Sequence, residues 1–167
     1  GKWRGCVEAR AAPFDTTDDS QLEPTAGGGK WERYLYPHHF FKNNWRFLNT
    51  FNHPFRGPNK QCPVELLPLT NNKQDVLNNI NEMIANGVTH INLGAVWGWR
   101  VLSPGEPYTA GVAYDNDKYN KAIIIMTDGS NFISFQNNYS GYGMLNQGIL
   151  GTTNFFQAID ELNNRLT

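Results

Sequence analysis

The sequence predicts an α/β sandwich built on a largely parallel sheet, and three observations predict it. Ala122–Met126 is an unbroken apolar run that turns polar at Thr127-Asp128-Gly129; a strand with no alternation is one covered on both faces. The predicted elements run strand, long irregular segment, strand, helix, helix, strand, helix, and alternation of this kind is the mark of an α/β fold. The chain of 167 residues, 40% hydrophobic and 13% aromatic, is long and apolar enough for one domain with its own core and too apolar for disorder.

The elements follow in order. Residues 3–10 read as a strand with Trp3 and Val7, ending near Pro13. Residues 11–63 carry Pro13, Pro24, Gly27-Gly28-Gly29, Pro37, Pro54 and Pro58 between scattered aromatics from Trp31 to Phe55. That is too long for an ordinary loop and too aromatic for a linker, so it reads as an inserted excursion lying on the domain surface. Its three glycines are the expected point of greatest mobility. Order returns with a short strand through Val64, Leu66, Leu67 and Leu69, after which Thr70 or Asn71 caps a helix. Val76, Leu77, Ile80, Met83 and Ile84 fall on one face of that helix, and Asn86-Gly87 supplies a left-handed stop. A short loop at Val88–Asn92 precedes an apolar helix through Leu93, Val96, Trp97, Arg100 and Val101, closed by Ser103-Pro104. A Gly/Asp/Asn-rich loop leads to the strand at Ala122. A polar loop containing "NNYSGYGMLNQG" follows, then a last helix capped by Thr152 or Thr153, with Phe155, Phe156, Ile159 and Leu162 as its apolar face.

Composition narrows the function. A net charge of −1 and a pI of about 6.5 give no basic footprint, so nucleic acid is not an expected partner. No apolar run approaches the ~20 residues that cross a bilayer. The chain lacks an initiator Met, opens at Gly1 on what reads as a strand and stops on what reads as a helix; it is expected to be an internal fragment of a longer protein. The two cysteines, Cys6 and Cys62, allow one disulfide, which would staple the long irregular segment; the alternative is two buried thiols. A disulfide implies an extracytoplasmic location.

Two loops carry the chemistry. One is "GVTHINLG", Gly87 to Gly94, between two helices; the other is "MTDG", at a strand end. Ligands of open α/β sheets bind at the carboxyl ends of strands, so Asp128 is either a turn residue or a ligand residue. The Thr89 hydroxyl and the Asp128 carboxylate are hard oxygen donors suited to Mg²⁺, Ca²⁺ or Mn²⁺. Thr89 also reads simply as a helix cap.

These stretches resemble a known family. "GxTxxxxG" before an apolar helix, then an apolar strand ending in "TDG", is similar to the later parts of a von Willebrand factor A domain. "WRGCVEARAAPFD", "WGWRVLSPGEPYTAGVAYD" and "KAIIIMTDGSN" further resemble the TadG-like (TadE/TadG) proteins of the Flp (Tad) pilus-assembly system. The resemblance implies a three-layer, Rossmann-like sandwich, present here as one partial domain over residues 1–167. Residues 11–63 would form its insertion, and 64–167 the α/β part carrying the metal-site loops. It implies a metal-ion-dependent adhesion site with Thr89 and Asp128 as two of its residues, a divalent cation (Mg²⁺, or Ca²⁺ or Mn²⁺), and protein partners among pilus or assembly components. It also implies a periplasmic or cell-surface setting, with a membrane anchor elsewhere. The family's Asp-x-Ser-x-Ser motif is not found in the chain, so the site is at most half built here.

Other features are read more plainly. Trp97 and Trp99 form either an aromatic surface or, as expected here, packing groups, with Arg100 pairing a carboxylate such as Glu8 or Glu106. His90 is expected exposed at the rim of the metal loop. His38, His39 and His53 with a carboxylate are the only basis for a metal-assisted hydrolase; no H-E-x-x-H or G-x-S-x-G pattern supports one, and no enzyme activity is expected. The alternative function is a structural domain with a vestigial metal site, acting through its aromatic insertion.

Overall fold

The computed structural model describes residues 5–20, 29–34, 62–133 and 139–166. Among the described residues are three α-helices, α1 (Lys73–Asn81), α2 (Ile91–Leu102) and α3 (Phe155–Asn164), and one two-stranded sheet, β1 (Tyr139–Ser140) with β2 (Gly143–Met144).

Each helix starts where side-chain oxygens can take the orphan N–H groups of its first turn. At α1, Asn72 Oδ1 accepts from the Gln74 N–H at 3.0 Å, and Thr70 Oγ1 braces Asn72 from behind at 3.1 Å. The cap is thus one or two residues later than the sequence suggests. The helix also stops early, at Asn81, with Glu82 as its C-cap; Gly87, at φ +90°, lies beyond it. Met83 and Ile84 are 59% and 83% exposed. Short helices draw their stability from packing, and no described residue covers these two side chains to extend the helix.

At α3 the cap is Asn154, whose Oδ1 accepts from the N–H groups of Phe156 and Gln157, while Thr152 Oγ1 accepts from Asn154 N–H. Ala158 and Leu162 are completely buried, with Phe155 and Ile159 beside them, the i, i+3, i+4, i+7 stripe of an amphipathic helix. Phe156 falls off that stripe and points to solvent. The stripe packs on Ile133, Tyr142, Leu145 and Leu150, which with Ala158 and Leu162 form the apolar core. Three of these residues, Tyr142, Leu145 and Leu150, come from the stretch that reads as a polar loop.

That stretch is a tight hairpin. Tyr139 pairs with Met144 and Ser140 with Gly143, antiparallel. Ser140 Oγ donates to Gly143 O and accepts from Tyr142 N–H, which closes the turn. Gly143 sits at φ +74°, and a Cβ there would meet Ile149 Cδ1 at 2.7 Å, so only glycine fits. Residues 6–9 run between this hairpin and residues 32–34. Ala9 N–H donates to Gly141 O, Glu8 N–H to Glu32 O and Tyr34 N–H to Cys6 O, with a single antiparallel bridge at Val7–Arg33. The strand expected at 3–10 is thus reduced, within its described part, to one bridge. Cys6 is bonded to Cys62, with their Cα atoms 5.8 Å apart.

The pairings among the described residues are antiparallel, and no parallel ladder occurs among them. Val64–Leu69 and Ala122–Met126, both expected as strands, are irregular or extended chain with no ladder partner. Ile124 and Met126 are 90% and 93% exposed, while Ile123 Cγ2 leans toward Gly98 of α2. Most of the predicted apolar strand therefore lies at the surface. A strand needs a hydrogen-bonding neighbour, and none of the described segments supplies one. Among the described residues no helix is long and apolar enough to cross a membrane.

Candidate functional site

The two loops singled out by sequence meet in space. Phe132 N–H donates to Thr89 O at 2.9 Å, and a Cβ added at Gly129 would stand 3.2 Å from Thr89 Oγ1. A side chain at 129 would press on the Thr89 hydroxyl, which would have to give slightly. Asn131, 4% exposed, ties the junction together: its Oδ1 accepts the Ile91 N–H at 2.7 Å, and its Nδ2 donates to Asn163 Oδ1 at 3.2 Å. The N-terminus of α2 is thus capped from forty residues downstream, by a residue the sequence reading passed over. His90, the residue at the cap position, makes no capping bond, nor does Thr89 act as the cap.

Asp128 is exposed at the turn. Thr127 Oγ1 and the main chain of Gly129 exchange hydrogen bonds at 3.3 Å, an ST-type turn that holds the Asp128 peptide outward. Thr89 and Asp128, two residues with hard oxygen donors, thus stand on loops that touch at Gly129. The set is right in kind for Mg²⁺ or Ca²⁺ and short in number, since such ions take six or more oxygens. Among the described residues no group of three His, Cys, Asp or Glu side chains is placed to hold a metal ion. His38, His39 and His53 lie outside the described residues, as do Phe40 to Phe55 of the aromatic excursion.

His90 departs from its expected place at the rim. Its ring packs against Tyr142 at 5.9 Å, both ring nitrogens are buried without a hydrogen-bond partner, and burial pushes its pKa down to about 4. Beside it Asn92 donates to Tyr142 Oη. The polar residues Asn92 and Arg100 share with Val96 the buried stripe of α2.

The other end of that stripe is a layer of charge and aromatic rings. Arg100, 1% exposed, clamps Thr17 O with Nε and Nη2, at 3.1 and 2.9 Å, and reaches Phe14 O at 2.9 Å. Its partners are main-chain carbonyls, where the sequence suggested Glu8 or Glu106. Its guanidinium lies 4.5 Å from the ring of Trp31 and 5.2 Å from that of Trp97, and the two indoles stack at 4.8 Å. Trp97 and Trp99 are packing groups: Trp97 also meets Tyr108 edge-on, and Trp99 Nε1 donates to Tyr114 Oη at 2.9 Å. Burial alone would raise the Asp18 carboxyl, but hydroxyl donors from Ser103 and Tyr114 outweigh it and hold it below the usual range. Asp15, 4% exposed, takes Arg165 at 2.5 Å, joining residues 14–16 to the end of α3. The segment 5–20 is therefore wedged against α2 and α3, with Arg10 and Asp15 buried. Within the excursion as first read, residues 11–13 are exposed at the surface and Asp15 is its first buried residue.

Compared with protein-family models, with curated proteins and with solved structures, the chain matches none.

Proposed function

We propose that this chain is part of an adhesion-type, protein-binding domain, a von Willebrand factor A-like three-layer sandwich of the TadG-like pilus-assembly family. Partner binding runs through a divalent cation to which Thr89 and Asp128 contribute. The observation that carries the reading is the meeting of the Thr89 loop with the Thr127-Asp128-Gly129 turn. Two loops forty residues apart converge there, with a hydroxyl in one and an outward carboxylate in the other. A cation held at this junction by these and further oxygen donors would keep one coordination position for a carboxylate from a pilus or assembly component. Its charge makes such a contact strong and dependent on the ion. The ion is Mg²⁺, or Ca²⁺ or Mn²⁺. The Cys6–Cys62 disulfide supports a periplasmic or cell-surface setting.

A second reading, a structural domain with a vestigial metal site, is favoured by a different observation. Trp31, within the excursion, stacks on Trp97 of α2. In this reading the aromatic segment carries the partner contact and no cation is needed.

Calorimetric titration with Mg²⁺ and Mn²⁺ separates the two. Cation binding that is lost in both Asp128→Ala and Thr89→Ala supports the adhesion site. Cation binding unchanged by either variant, or none at all, favours the structural reading.

A further inference from the structure

The two buried arginines differ in one respect. Arg100 uses its Nε–Nη2 edge, the side of a guanidinium that offers two parallel N–H groups, to grip Thr17 O. Arg10 is equally buried, at 1% exposure, yet on the same edge both Nε and Nη2 lack a hydrogen-bond partner within the protein. Only its Nη1 is engaged, by Asp19 O at 2.6 Å. Among the described residues Arg10 makes no contact ion pair, those belonging to Arg165, and the Asp19 carboxylate favours its charge only from further off. The rings of Phe14 and Trp31 lie 5.0 and 5.1 Å from Arg10 Cζ. Gly29 passes beside Nη2, where a Cβ would come to 3.4 Å. A buried guanidinium with its bidentate edge unmatched is costly, because the desolvated charge is not repaid by hydrogen bonds. Arg100 adds like charge: its own pKa falls to about 10, first by burial and then by Arg10.

We propose that the Nε–Nη2 edge of Arg10, walled by Phe14, Trp31 and Gly29, is an oxyanion site that takes a carboxylate or a phosphate group in bidentate fashion. The parallel N–H pair matches the spacing of two oxygens on such a group, which a lysine ammonium cannot reproduce. Residues 29–34 cover the site and are tied to residues 6–8 by main-chain hydrogen bonds, those of Glu8 to Glu32 and of Tyr34 to Cys6. Both nitrogens are buried, so an anion reaches them only when this strip gives way. The inference is independent of the cation reading above.

The test is thermal unfolding of the whole 167-residue chain, titrated with sodium phosphate or sodium acetate at ionic strength held constant with sodium chloride. One of the two anions is expected to raise Tm saturably, by about 4 °C at tenfold excess over Kd. It is also expected to shift one arginine Nε–H cross-peak in the ¹H–¹⁵N spectrum with the same midpoint. Arg10→Lys, which keeps the charge and loses the fork, is expected to abolish both responses. Gly29→Ala, which keeps Arg10 and crowds Nη2, is expected to raise the midpoint several-fold and serves if the lysine variant does not fold. A lower midpoint for acetate names a side-chain or terminal carboxylate as the natural ligand; a lower one for phosphate names the free ion or a phosphate ester. The proposal is overturned if neither anion gives a saturable response, or if the Tm rise is the same in Arg10→Lys and Gly29→Ala as in the parent.

Discussion

Two regions of the chain invert the usual link between composition and burial. The stretch around Ile123–Met126 is among the most apolar in the sequence and is largely exposed, with Ile124 and Met126 almost wholly in solvent; the amphipathic α1 likewise buries no residue. The stretch 139–150 reads as a glycine- and asparagine-rich loop and supplies half of the core, Tyr142, Leu145 and Leu150. The difference lies in closure. The hairpin satisfies its own backbone within six residues and can be buried alone; an apolar strand of the other kind has to find neighbours before it can be buried at all. Contiguous exposed apolar surface of this sort is where another protein surface is expected to sit.

The comparison can be broken by mutation. The largest effect is expected at the staple. Cys6→Ser with Cys62→Ser, which opens a loop with a sequence separation of 56, should lower unfolding free energy in urea by about 4 kcal/mol. Leu162→Ala, at a completely buried position of the closed region, should cost about 3 kcal/mol by the same assay. Its counterpart Ile124→Ala should stay within about 0.5 kcal/mol of the parent, despite removing a similar side chain. Equal losses at the two positions would mean that residues 122–126 are covered in solution. The double change Ile124→Asp with Met126→Asp should leave stability nearly unaltered while lowering binding of a dye that reports exposed apolar surface.

A smaller effect sharpens the account at the seam between residues 6–9 and 32–34. Burial, and then the neighbouring Glu32 carboxylate, raise Glu8 from 4.5 to about 7. The folded state therefore holds this proton more tightly than the unfolded chain. Between pH 4.5 and 7 the native form binds more protons, so stability falls as pH rises through that window and is level on either side of it. Glu8→Gln should flatten this part of the pH profile measured by thermal unfolding. An unchanged slope would remove Glu8 as its source.

What was legible in the sequence is where helices run and which two loops touch. Helix α2 and its stop at Ser103-Pro104 follow from local rules, because its apolar spacing and the restriction before proline are local properties. The pairing of Thr89 with the Asp128 turn came from resemblance alone, and the two loops do meet. Asn131 as the cap of α2 could not be read locally, since it acts across forty residues. The inward turn of His90 escaped for the same reason: only Tyr142, from the hairpin, puts it there. Arg100 was expected to pair a carboxylate and Arg10 carried no expectation, because long-range stacking on Trp31 has no sequence period. Predicted strands at 64–69 and 122–126 rested on apolarity, which reports a wish for burial and not the presence of a partner.

The measurement that bears most directly on the central claim is paramagnetic relaxation by Mn²⁺ in the ¹H–¹⁵N spectrum of the chain. Weak binding suffices, because broadening depends on closeness to the ion. The account predicts selective loss of the amide signals of Thr89, His90 and residues 127–131 at substoichiometric Mn²⁺, restored by chelation and absent in Asp128→Ala. Broadening that spares these residues, or that persists in Asp128→Ala, would contradict it and leave Asp128 as a turn residue.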